Sequence, residues 1–131
     1  MITKNLLVLK SYSLITTILY SLALAVISLV KFRDIPDYIP SFSDKVLHFL
    51  MYGILAFLWI ITFTHKFRLK RIYAIVWAGI IAVIFGIIIE VLQGMITQTR
   101  VAESNDILAN TLGVGLTITI LFLFTKTEVK K

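Results

Sequence analysis

The sequence predicts an all-α integral membrane bundle of four transmembrane helices, with both termini cytoplasmic. Three observations predict it: an apolar content too high for a soluble chain, four apolar stretches of membrane-spanning length, and basic residues gathered on alternate connections. Of 131 residues, 59% are hydrophobic and 15% charged, and the mean hydropathy is +0.95. A soluble domain of this length has too small an interior to hide so much apolar surface. Lipid is therefore the solvent for most side chains. Length leaves room for one membrane domain over 1–131, and no repeat or low-complexity tract interrupts it. The absence of cysteine excludes a disulfide framework and thiolate metal ligands.

The four apolar stretches run over about 13–30, 46–64, 72–93 and 107–124. Each approaches the ~20 residues that a helix needs to cross ~30 Å of hydrocarbon. Helices satisfy their own backbone groups in lipid, whereas a closed barrel would need many alternating segments. The first stretch follows Lys4 and Lys10, and Ala23-Leu24-Ala25 resembles a signal-peptide cleavage site. Apolar sequence continues to Val30, which suits a retained anchor. Before the second stretch, Asp34 to Pro40 contains both prolines; a non-helical flap on the outer surface is expected there. The fourth stretch stops before Lys126 and Lys130.

Lysine and arginine set the orientation. Four crossings put both termini and the loop from His65 to Arg71 on one side. That side carries Lys4, Lys10, Lys66, Arg68, Lys70, Arg71, Lys126, Lys130 and Lys131, while Lys31, Arg33, Lys45 and Arg100 lie opposite. Positive charge stays cytoplasmic, so the net charge of +6 follows from topology and does not call for a nucleic acid. The basic loop also suits anionic lipid heads, and His65 belongs to it.

Six of the seven acidic residues then fall on the outer side: Asp34, Asp37, Asp44, Glu90, Glu103 and Asp106. Carboxylates at the edge of hydrocarbon cost free energy, so their grouping marks a candidate site. Helical periodicity sharpens it. Gly79, Ala82, Gly86, Glu90 and Gln93 share an arc of about 80° on the third helix. Its small residues let another helix approach, and the arc carries Glu90 and Gln93 into the bundle. Asp106, Asn110, Gly113 and Thr117 share about 60° on the fourth. Asp44, His48 and Tyr52 repeat every fourth residue on the second. Three helices thus present polar stripes at one end.

The pattern Asp44-Lys45-x-x-His48-x-x-x-Tyr52, then Glu90-x-x-Gln93, then Arg100-x5-Asp106-x3-Asn110-x-x-Gly113 resembles the VanZ-like family of small bacterial membrane proteins. The resemblance covers about 44–115; the first helix adds hydropathy but no motif. It implies a cell-envelope role, since the founding member is linked to teicoplanin resistance. Some members' relatives are proposed to act on lipid head groups or lipid-linked saccharides.

The residues suit such chemistry. Asp44, one turn before His48, can orient the imidazole as a general acid or base. Glu90 is a second candidate proton carrier, and Arg100 can grip a phosphate with its planar fork. The start of the fourth helix offers a positive dipole end, and Asp106 there, or Glu90, is a catalytic candidate that can position a nucleophile. Asn110, Gln93, Tyr52 and Lys45 are candidate contacts for substrate. Asp44, His48, Glu90 and Asp106 offer nitrogen and oxygen donors for a divalent metal, although no HExxH-type spacing is present.

Each residue also has a structural reading. Asp106 is a good N-cap, Glu90 and Arg100 can pair as a salt bridge, Asn110 can glue helices together, and Tyr52 can pack. Three functions stay open. One is an extracytoplasmic enzyme acting on the phosphate or head group of a membrane lipid or lipid-linked cell-wall precursor. Another is a binding protein that shields such a precursor from a glycopeptide. The last is a structural or transport component, although no polar path continues through the inner half.

Overall fold

The computed structural model describes residues 2–29, 41–96 and 104–129. It contains four α-helices: α1 (Ile2–Leu29), α2 (Ser41–His65), α3 (Arg71–Ile96) and α4 (Ser104–Val129). No strand occurs among the described residues. Each helix holds a segment long and apolar enough to cross a membrane: Lys10–Leu29, Lys45–His65, Arg71–Ile96 and Ser104–Thr125. The helices run past the apolar stretches, most clearly in α1, which begins at Ile2 rather than near Ser13. Residues such as Lys4, Asn5 and Lys10 do not break a helix, and long side chains can place their polar tips in the head-group layer. The Asp34–Pro40 stretch lies outside the described residues.

A tight turn joins α2 to α3. Thr62 O accepts from the backbone N–H groups of both Lys66 and Phe67, and Leu69 N donates to Phe63 O. Arg68 takes a left-handed conformation, φ 55°, which reverses the chain before Arg71.

Helix α2 is the hub. It packs against the other three, while α1 and α4 share no contact among the described residues. Tyr52, Leu55 and Ala56 of α2 form one core cluster with Leu24, Ala82 and Val114. Ile60, Ile75 and Ala78 form another toward the opposite end. Large apolar side chains such as Leu19, Trp77, Ile84 and Leu116 point outward and are about half exposed, as lipid-facing residues should be.

Helices α2 and α4 run parallel and nearly touch. A Cβ placed on Gly113 would stand 2.0 Å from the carbonyl oxygen of Phe49, so only a residue without a side chain fits. Four residues on, the Thr117 hydroxyl donates to Gly53 O at 3.1 Å. Helix α1 is held by polar contacts within the membrane. The Thr17 and Thr62 hydroxyls lie 2.7 Å apart, flanked by Leu58 O and Ser13 O, each 3.2 Å away. Tyr20 donates to Met51 O at 2.7 Å. Bonds of this kind between membrane helices contribute about 0.6 kcal/mol each on average. They matter for α1 because its own interior-facing surface is small.

Candidate functional site

The parallel register of α2 and α4 pairs their polar stripes residue by residue. Lys45 Nζ meets Asp106 Oδ1 at 3.2 Å. One turn deeper, His48 Nδ1 lies 3.0 Å from Asn110 Oδ1. Deeper again, Phe49 rests on Gly113. Helix α3 closes the third side through its small-residue arc, and Gly79, Ala82, Gly86, Glu90 and Gln93 are all buried. Gly86 is the cradle: a Cβ there would lie 3.0 Å from the Tyr52 ring and 3.3 Å from Asn110 Nδ2. The missing side chain lets Tyr52 and Asn110 sit one turn below Glu90.

His48, Glu90 and Asp106 converge. One donor atom from each lies within 4.8 Å of the other two. Glu90 is 1% exposed and Asp106 7%, and His48 is half-buried. Two unit charges at that separation repel by about 3 kcal/mol in an effective dielectric of ~20. A positive partner offsets such repulsion. Lys45 is such a partner at Asp106, and the first turn of α4 adds its dipole there.

Tyr52 stacks on His48, with ring centroids 6.5 Å apart and planes 12° from parallel. Its hydroxyl and the Asn110 Nδ2 are buried and have no hydrogen-bond partner among the described residues. Buried donors without acceptors are costly, so they suit a site where a ligand oxygen arrives. The Asn110 amide orientation matters here. With Oδ1 facing Nδ1 of His48, a ring N–H at Nδ1 is the donor that this contact calls for.

The structure thus brings together His48, Glu90, Asp106, Asn110, Tyr52 and Lys45. Gln93 reaches the other way: its Nε2 donates to Ser28 O at 2.5 Å, tying α3 to the end of α1. Helix α2 runs through Asp44, but its side chain lies outside the described residues, as do Arg100, Asp34, Asp37 and Glu103. The suggested Asp44–His48 and Glu90–Arg100 pairings fall there too. Sequence reasoning missed the Asn110–His48 and Lys45–Asp106 bonds, although the signal was present. Matching four-residue repeats near the starts of two helices pair when those helices run parallel.

A family model described as VanZ/LLP1 matches residues 4–125, nearly the whole chain and all four helices. The chain belongs to the VanZ/LLP1 family. No curated protein and no solved structure matches it. The VanZ/LLP1 match reaches beyond the motif-bearing part, because it includes α1, whose sequence carries no polar motif. The structure gives α1 a place in the family fold: it supports α2 through Thr17 and Tyr20, and α3 through Ser28. With four helices able to span a bilayer, this VanZ/LLP1 chain is a multi-pass membrane protein.

Proposed function

We propose that this protein works at the outer face of the cell membrane on the phosphate or head group of a lipid or lipid-linked cell-wall precursor. The observation that carries the reading is the juxtaposition of His48, Glu90 and Asp106 with two buried donors, Tyr52 OH and Asn110 Nδ2, that have no acceptor among the described residues. The basic residues on the opposite side support an outward-facing site through the positive-inside rule. In this reading a water oxygen bonds to phosphorus as the bond from phosphorus to the leaving oxygen breaks. His48 or Glu90 takes the proton from the water and returns one to the leaving oxygen. Lys45, Asn110 and Tyr52 meet the phosphate oxygens, as electrostatic stabilisation requires, and Arg100 adds a further cation. A role in tolerance of glycopeptides such as teicoplanin would follow where the substrate is a cell-wall precursor.

The test uses protein purified in detergent and incubated with extracted membrane lipids and lipid-linked precursors. Mass spectrometry should find a product that is absent with His48→Ala and Asp106→Ala, both still folded and helical. Equal product from all three proteins would end the enzyme reading.

A second reading, binding without turnover, draws on the same two donors, which need only an acceptor and no chemistry. It expects retention of a lipid-linked precursor through purification, with no change in its mass, and tolerance of His48→Gln.

A further inference from the structure

We propose that His48, Glu90 and Asp106 bind one divalent cation that accepts mixed nitrogen and oxygen ligands, of the Zn²⁺ or Mn²⁺ kind. One donor atom from each residue already lies within 4.8 Å of the others. Ligands about 2.0–2.3 Å from an ion sit roughly 3–3.5 Å from one another, so side-chain rotations of about an ångström complete the site. The three residues come from α2, α3 and α4, and the ion therefore bridges three helices.

The histidine is prepared for this role. Its Nδ1 lies 3.0 Å from Asn110 Oδ1; in the tautomer that donates there, Nε2 is the nitrogen that would take the ion. A second partner that fixes the ring through its other nitrogen is the usual setting of a metal-binding histidine. Independently of the carboxylates, two side chains point to a ligand. Tyr52 is 1% exposed and Asn110 2%, and Tyr52 OH and Asn110 Nδ2 have no hydrogen-bond partner among the described residues. The Tyr52 ring and Asn110 Nδ2 lie beside Gly86, one turn from Glu90. Donors so placed suit the oxygen of a water or phosphate carried by the ion. Lys45 holds Asp106 Oδ1, so Asp106 can offer the ion its other oxygen.

This inference deepens the lipid-phosphate reading, because a cation would let a phosphate anion approach two carboxylates. Its test contains no lipid, so each can fail without the other. The full chain, carrying a tag free of histidine, is stripped with chelator in detergent. It is then titrated with MnCl₂, followed by electron paramagnetic resonance, and with ZnCl₂, followed by calorimetry. One equivalent should bind per chain. Glu90→Gln and Asp106→Asn should lose the site, and Asn110→Ala should weaken it by about tenfold or more. Lys45→Gln should tighten it several-fold, because the competing ammonium is gone. No saturable binding, or binding unchanged in Glu90→Gln and Asp106→Asn, overturns the proposal. Should either carboxylate variant fail to fold, the opposed shifts of Asn110→Ala and Lys45→Gln decide, and unchanged affinity in both overturns it. Lipid product formed by the fully stripped protein would also count against the cation while leaving the phosphate reading in place.

Discussion

His48 is held in place by two neighbours that do different things. Asn110 offers its Oδ1 to the ring Nδ1, and the Tyr52 ring lies nearly parallel to the imidazole. The Tyr52 hydroxyl is the more revealing of the two, because packing alone would be served as well by phenylalanine. A buried hydroxyl without an acceptor costs about 1–3 kcal/mol, so Tyr52→Phe should leave the melting temperature in detergent unchanged or raise it. Binding of the phosphate-bearing ligand should fall by about tenfold, the loss of one hydrogen bond of roughly 1.4 kcal/mol. Ligand binding equal to that of the parent protein would reduce Tyr52 to a packing residue.

At the scale of helices, the site exists because α2 and α4 approach closely enough for Lys45 to meet Asp106 and His48 to meet Asn110. Gly113 permits that approach: any Cβ there collides with the Phe49 backbone, which cannot rotate away as a side chain can. Gly113→Ala should therefore push the helices apart and destabilise the protein by about 1–3 kcal/mol, read as a lower midpoint of thermal unfolding in detergent. Gly115 is the control. Nothing lies within 4 Å of a Cβ at that position, and Gly115→Ala should be neutral or stabilising by up to about 1 kcal/mol through helix propensity. Equal effects of the two substitutions would show that the α2–α4 crossing is not as close as described. Helix α1 stands apart from this pair. It is fastened to α2 by Thr17, Thr62 and Tyr20, so it buttresses the site from behind and contributes none of the six converging side chains.

The whole molecule is a bundle with the six converging side chains at the end where α2 and α4 begin and α3 finishes. The proposed outward orientation can be read directly, since the chain has no native cysteine to confuse labelling. Ser104→Cys, at the site end and exposed, should react with a membrane-impermeant maleimide in intact cells. Lys70→Cys, in the exposed turn before α3, should react only after permeabilisation. The reverse pattern would turn the site toward the cytoplasm.

Much of this architecture could be read from the chain. Four helices follow from apolar stretches of bilayer length, because lipid leaves a backbone few other ways to satisfy its hydrogen bonds. The inward faces followed as well: the Gly79–Gln93 arc and the Asp106–Thr117 stripe are where periodicity put them, since only one side of each helix can hold small and polar residues away from lipid. Periodicity is a property of one helix, however, and is silent about its neighbours. That His48 meets Asn110, that Lys45 meets Asp106, and that Gln93 turns to Ser28 depend on parallel direction, vertical register and rotation about the helix axis. Those quantities are set by contacts between helices, above all the close approach at Gly113, and so they emerge from packing and not from any single stretch of sequence.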